Sequence, residues 1–275
     1  NNAGFALYGD GLTRFVGDWW ICLPLMLGVF AGGLGFPVLF ELGRRYRRPG
    51  RWSTHTRLTV WGSLALFVFG SLFILLFEWT NPHTFGPLSL EEKLLAAGFQ
   101  DAMSRSGGLN TVDIPAMHSE TLSVMTALMF IGGGSASTAG GIKVSTFFLL
   151  AFVIWAEIRG EPDVVIGERR IAEGTQRQAI TVALLGIGVI GVGALALTSL
   201  SDGVTFYRAL FEVTSAFSTA GLTNLPTSTL PPAAQLVLVV LMFIGRVGSI
   251  TVASGVALNT RHRRYRYPEE RPIIG

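Results

Sequence analysis

Glycine returns in this chain at one fixed offset. Gly4, Gly108 and Gly221 each lie in a short stretch of small and polar residues: Asn2-Ala3-Gly4-Phe5, Ser106-Gly107-Gly108-Leu109 and Thr219-Ala220-Gly221-Leu222. A second glycine follows each of them 24 positions later, as Gly28, Gly132 and Gly245. The second set shares an apolar context too, in Leu25-Met26-Leu27-Gly28, Met129-Phe130-Ile131-Gly132 and Met242-Phe243-Ile244-Gly245. Three matched pairs, at pitches of 104 and 113 residues, mark an internal repeat of polar loop plus apolar helix. Polar loops repeated inside apolar surroundings predict a pore.

The surroundings are apolar by any measure. Of 275 residues, 49% are hydrophobic and only 14% charged, where a soluble domain carries about 25% charged. The chain therefore reads as a membrane protein. Cys22 is the single cysteine, which excludes an intrachain disulfide. His55, His83, His118 and His262 lack the spacing of metal ligands. The chain opens at Asn1-Asn2 inside a loop, without Met or signal peptide, so it reads as part of a longer protein with another glycine loop upstream.

A criterion of about 20 apolar residues gives five candidate spans, at 19–40, 58–77, 119–156, 179–200 and 232–258. Two further helical segments, 90–105 and 206–217, are too short to cross, and each leads into a glycine loop. Such re-entrant backbone persists at membrane depth only where protein buries it or water lines it. The predicted fold is all-α: helix, half-helix, pore loop and helix, repeated around a central pore. Residues 1–57 form the end of pore repeat two with a cytoplasmic loop. Residues 58–177 form repeat three with a broken second helix, and 178–275 form repeat four with a cytoplasmic tail.

Arginine placement orients these units. Arg44, Arg45, Arg47, Arg48, Arg51 and Arg57 crowd one loop, and Arg261, Arg263, Arg264 and Arg266 the tail. The positive-inside rule makes both cytoplasmic, so the glycine loops enter from outside. The 157–177 loop, mixed in sign, falls inside by parity. The basic loops read first as topology signals and only second as a docking surface.

A cation that sheds its water needs replacement oxygens, and rings of backbone carbonyls supply them. Aiming successive carbonyls at one axis needs backbone angles that glycine tolerates best. The candidate selectivity filter is therefore Asn2, Ala3 and Gly4; Ser106, Gly107, Gly108 and Leu109; Thr219, Ala220, Gly221 and Leu222. The carbonyls of Gly4, Gly108 and Gly221 are the candidate ion ligands. The bland alternative, three tight turns, does not explain the shared offset.

Below the middle loop lies Gly132-Gly133-Gly134-Ser135-Ala136-Ser137-Thr138-Ala139-Gly140-Gly141. Glycine disfavours helix by about 1 kcal/mol per residue, so the 119–156 span cannot be one helix. A flexible strip under a filter is a candidate gate; its alternative is a packing kink. Arg246 lies mid-span in 232–258, opposite Gly133 by the repeat pitch, and a charge there is functional by default. It would raise the barrier to a passing cation. Lys143 reads as an interfacial lysine. Gly186-Ile187-Gly188-Val189-Ile190-Gly191 fits a nucleotide-binding pattern but lies inside an apolar span with no strand before it, and is set aside.

Taken together, Ser137-Thr138-Ala139-Gly140-Gly141-Ile142-Lys143-Val144, Ser218-Thr219-Ala220-Gly221-Leu222 and Phe243-Ile244-Gly245-Arg246 resemble the Trk/Ktr/HKT superfamily of potassium transporters. The closing 266–275 segment looks like the Ktr branch of it. The resemblance implies four helix–pore-loop–helix repeats, one filter glycine in each, and an intramembrane gating loop at 132–141 with Arg246 beside it. It implies potassium as substrate and sodium as a candidate coupling ion, with no covalently bound cofactor. As partners it implies a homodimer, the lipid bilayer and a cytoplasmic RCK-type nucleotide-binding ring, and no nucleic acid. The location it implies is the plasma membrane. Ser106-Gly107-Gly108-Leu109 departs from the usual Thr-Ala-Gly-Phe, and the additional Gly107 predicts a looser loop. The competing class, an intramembrane hydrolase using Ser135 or Ser137, lacks a base: His118 is the nearest, on the outer side.

Overall fold

The computed structural model describes Asn2 and residues 4–258, with the backbone alone for 248–258. Ala3 of the first loop and the tail with Arg261, Arg263, Arg264 and Arg266 lie outside the described residues. The described chain runs α1 (Trp19–Leu34), α2 (Phe36–Arg45), α3 (Thr54–Glu78), α4 (Leu90–Ser104), α5 (Ser119–Phe130) and α6 (Val144–Arg159). After a small antiparallel hairpin, β1 (Val165–Ile166) and β2 (Arg169–Arg170), come α7 (Glu173–Leu200), α8 (Phe206–Phe217) and α9 (Pro232–Leu258).

Local chemistry sets the starts of these helices. Asp18 caps α1 by accepting from Trp20 N at 2.9 Å and Ile21 N at 3.3 Å. Ser89 and Glu92 form a reciprocal capping box on α4, with Ser89 N donating to Glu92 at 2.8 Å. Gly160, left-handed at φ 66°, ends α6 and returns its N–H to the last turn.

By length and apolar composition α3 and α7, with 25 and 28 residues, can each cross a membrane. The expected half-helices at 90–105 and 206–217 are α4 and α8. The expected break in 119–156 falls between α5 and α6. The 19–40 segment, read as one span, departs from expectation: α1 and α2 meet at 103°. Gly35 sits at φ 87° and ψ 150°, a region essentially reserved for glycine. Pro37, in the first turn of α2, suits a new helix start rather than a continuing one.

Burial is inverted relative to a soluble protein. The long helices turn apolar residues outward, such as Phe69, Leu72 and Phe73 on α3 and Leu184, Ile187 and Val192 on α7. The half-helices lie inside. Every residue of α4 from Leu95 to Ser104 is buried, as is every residue of α8 from Phe211 to Phe217. The interior thus holds Gln100, Asp101, Ser104, Arg105, Ser106, Glu212, Thr214, Ser215 and Ser218. Apolar surface outside and polar residues within suit a lipid surround.

One carboxylate fixes the end of this assembly where the half-helices begin. Glu78, fully buried at the end of α3, accepts from Asn81 Nδ2 at 2.7 Å and from Thr84 Oγ1 and Thr121 Oγ1 at 2.5 Å. His118 N adds a fourth donor at 2.8 Å. Four donors on one carboxylate tie the end of α3 to the start of α5.

Candidate functional site

The three glycine loops share one unusual backbone. Positive φ occurs at Asn2 (56°) and Gly4 (70°), at Ser106 (71°) and Gly108 (71°), and at Thr219 (51°) and Gly221 (87°). Each loop is therefore left-handed at its glycine and again two residues before it. Left-handed backbone costs a non-glycine residue roughly 1–2 kcal/mol, so three such residues at equivalent places need compensation from their surroundings.

Hydrogen bonds supply it. Ser106 Oγ donates to Ser218 O at 3.0 Å, joining two loops. Thr219 Oγ1 accepts from Gly140 N at 3.1 Å, and Asn2 Nδ2 donates to Val29 O at 3.4 Å. The half-helices hold the loops from behind. Ala220 N reaches Ser215 O at 2.9 Å, and Gly107 N reaches Met103 O at 2.8 Å. Glu212 accepts from Asn224 N at 3.3 Å. Gln100, with its amide oxygen turned toward the loop, accepts from Thr111 N at 3.2 Å. Thr111 and Asn224 are themselves one 113-residue pitch apart, so the same brace serves both loops.

The glycines come together. A Cβ on Gly4 would stand 2.8 Å from Gly108 Cα. One on Gly108 would stand 3.0 Å from Ala220 O and 3.1 Å from Gly4 Cα, and one on Gly221 would stand 3.1 Å from Gly108 Cα. Gly108 is thus the middle of three, touching both of the others. Gly107 differs from its expected role as a loosening residue. A Cβ there would lie 2.4 Å from Met103 Sδ, so it is small because α4 packs against it, and its N–H is bonded.

The strip 132–141 lies directly against this cluster through Gly140 and Thr219 and is laced to the bend between the first two helices. Gly134 N donates to Gly33 O at 2.7 Å, Thr138 N to Gly32 O at 3.2 Å, and Phe36 N to Ala136 O at 3.3 Å. These bonds join it to the bend between α1 and α2. Its own ends are closed by Gly132 N to Ile142 O at 2.9 Å and Val144 N to Gly133 O at 3.0 Å. The glycines are required by close approach. A Cβ on Gly133 would lie 2.5 Å from Gly33 O, and one on Gly134 would lie 2.4 Å from Leu34 O. Among the described residues, Thr138 Oγ1 and Ser218 Oγ are buried and find no hydrogen-bond partner.

Two cations reach the strip. The Arg246 guanidinium donates to Thr138 O. Lys143 Nζ donates to Ala139 O at 2.7 Å, so this lysine secures the strip rather than serving only as an interfacial residue. Both cap carbonyls that no helix satisfies. Among the described residues Ser135 and Ser137, the nucleophiles of the enzyme alternative, hydrogen-bond to Ser145 Oγ at 3.5 Å and Ala139 N at 3.3 Å respectively.

Reasoning from the residues overlooked a buried pair on α4. Arg105, 6% exposed, donates to Ser63 O at 2.8 Å and lies over the Phe30 ring at 5.3 Å. Asp101, one turn earlier, accepts from Ser71 Oγ at 3.3 Å. Arg105 lines a small cavity together with Gly33 and Gly133, between α1, α3 and the strip. The signal was present: two opposite charges four residues apart in a segment that ends at a glycine loop.

Short irregular segments that converge between helices, inside an apolar exterior, suit a membrane protein. The chain belongs to the TrkH cation transport protein family, whose model matches residues 1–260. The chain is 37% identical over 275 residues to Ktr system potassium uptake protein B of Bacillus subtilis (strain 168), matching all of the chain and 61% of that protein. It is 35% identical to Ktr system potassium uptake protein B of Vibrio alginolyticus, of which it covers 60%. The chain thus spans about three fifths of the length of these relatives. The crystal structure of the potassium transporter TrkH from Vibrio parahaemolyticus matches 95% of this chain and 57% of its own length, with a TM-score of 0.67 and 20% identity. That likeness establishes the fold.

Proposed function

We propose that this chain forms part of a potassium-uptake pore. The observation that carries the reading is the meeting of Gly4, Gly108 and Gly221, each flanked by left-handed backbone, at one place inside a membrane protein. Carbonyls of these loops replace the water of a potassium ion. The order Gly4, Gly108, Gly221 runs around one axis, leaving a side opposite Gly108 for a fourth loop to close. Residues 1–57, 58–177 and 178–275 then correspond to the end of repeat two, repeat three and repeat four. The relatives' names, as potassium uptake proteins, agree with this substrate.

The strip 132–141 is the gate, and Arg246 both fastens it and places positive charge on the ion's route. The half-helices α4 and α8 end immediately before their loops, so the partial negative charge of their C-termini favours a cation nearby. Sodium remains the candidate coupling ion. The arginine-rich loop faces the cytoplasm of a plasma membrane that the chain crosses several times. A homodimer and an RCK-type nucleotide-binding ring are the proposed partners, the ring releasing the strip.

Rubidium uptake into vesicles reconstituted with the protein tests the reading. Uptake inhibited by potassium and not inhibited by equal sodium supports it. Vesicles containing folded protein that take up neither rubidium nor potassium would remove it.

A further inference from the structure

Helix α2 leaves α1 at 103° and is amphipathic in an unusual sense. Val38 is buried, and Glu41 accepts from Ser53 Oγ at 2.7 Å and Thr56 Oγ1 at 2.5 Å. These two residues bind α2 to the start of α3. The other face carries Phe36 and Phe40, 68% and 67% exposed, with Leu39 between them. Positions 36, 39 and 40 share one helix face. Two bare phenylalanines on a helix lying across the end of the bundle suit burial at the boundary between headgroups and acyl chains.

Arginines follow at once. Arg44, Arg45, Arg47, Arg48 and Arg51 rim an open hollow of about 360 Å³. The turn that carries them is built, not loose: Trp52 Nε1 donates to Arg45 O at 3.0 Å and Arg57 Nη2 to Gly50 O at 2.5 Å. Glu41 is the one carboxylate between residues 36 and 57, and Ser53 and Thr56 already occupy it. Among the described residues none of the five arginines lies within ion-pair distance of a carboxylate. Arg45 acts on Glu41 through its charge, so among the described residues the five guanidinium groups around this hollow share one carboxylate and leave a strong excess of positive charge, and the guanidinium fork matches phosphate oxygens.

We propose that Arg44, Arg45, Arg47, Arg48 and Arg51 bind the phosphate headgroups of anionic lipids, with Phe36, Leu39 and Phe40 anchoring α2 in the same leaflet. This rests on the membrane class of the chain and not on the pore reading. The apolar face decides for a lipid over a soluble partner, because the lipid's tails cover Phe36 and Phe40 while its phosphate meets the arginines.

The test is a melting titration of the purified protein in uncharged detergent. Short-chain phosphatidylglycerol should raise the melting temperature, and phosphatidylcholine of equal chain length should not. Arg44→Gln, Arg48→Gln and Arg51→Gln together should weaken the apparent affinity for phosphatidylglycerol on the order of a hundredfold, taking roughly fivefold per arginine at an anionic surface. The matching lysine variant, which keeps the charge and loses the fork, should fall between the glutamine variant and the parent. Should the triple glutamine variant not fold, Arg48→Gln alone should show the fivefold loss. Equal stabilisation by both lipids, an unchanged affinity in the glutamine variants, or the same stabilisation by inorganic phosphate alone would each overturn the proposal. The last result would mean a free-anion site, and indifference to every lipid would leave the hollow to a protein partner.

Discussion

At Gly108 the obstacles to a side chain are backbone atoms of two other loops, 3.0 and 3.1 Å from where a Cβ would stand. Gly108→Ser or Gly221→Ser must therefore shift neighbouring loops as well as strain its own φ. Both variants are expected to reduce potassium preference over sodium by roughly 1–2 kcal/mol, or about tenfold. Ion competition of rubidium uptake measures this, and unchanged selectivity in both variants would reduce the glycines to turns. Arg246→Ala removes a charged hydrogen bond on Thr138 O, of a kind that contributes about 1.5–3 kcal/mol. Flux without the regulatory partner should rise by about an order of magnitude or more, and flux held at the parent level would deny Arg246 a gating part. Glu78→Ala strands four donors and should lower stability by about 3 kcal/mol or more. A melting temperature within a degree or two of the parent would show that Glu78 is dispensable.

At the scale of the element, the strip is the informative part. Deleting several residues of 132–141 should raise potassium flux in the absence of a regulator, because this strip laces the α1–α2 bend to Thr219. Combining the deletion with Arg246→Ala should add less than the two effects separately, since both act on one barrier. A folded deletion variant with unchanged or lower flux argues for a packing kink. The break in this segment was legible because glycine opposes helix wherever it stands. So were α4 and α8, because short apolar runs ending in polar loops have a characteristic length. The bend at Gly35 was not. Gly35-Phe36-Pro37 is a breaker signal, but its angle depends on Ser135 O, which stands 2.3 Å from where a Cβ on Gly35 would be. Residues a hundred positions away decide it. Distance in sequence also hid the Asp101–Arg105 pair, whose partners Ser71 and Ser63 lie on α3. Lys143 and Gly107 meet Ala139 O and Met103 Sδ only four residues away, through loop backbone that no local periodicity fixes.

For the whole molecule, topology is the first thing to establish, since every gating argument assumes which side the arginines face. Cys22 is the single cysteine and is fully buried, so introduced thiols can be read against a quiet background. In intact cells, membrane-impermeant maleimide should label His83→Cys, whereas Arg48→Cys should react only after permeabilisation. The opposite pattern would invert the positive-inside assignment and place the filter loops in the cytoplasm.

The contact between Gly245 and α8 has a mechanical consequence. A Cβ on Gly245 would fall 1.6 Å from Phe217 O, so α9 rests on the end of α8 one residue before Arg246. If this contact acts as a fulcrum, α9 is a lever. From Gly245 to Leu258 the helix extends about 20 Å, at roughly 1.5 Å per residue. A swing of about 5 Å at that end is a tilt of roughly 15°. With a side-chain reach of about 6 Å from the helix axis, the guanidinium would travel about 1.5 Å, enough to part it from Thr138 O. Small forces on the far arm would thus suffice to unfasten the strip, and displacing the fulcrum should do the same. Gly245→Ala, which pushes α9 off Phe217, is expected to leak potassium even with Arg246 intact; a folded variant that stays tight would show that α9 does not pivot there.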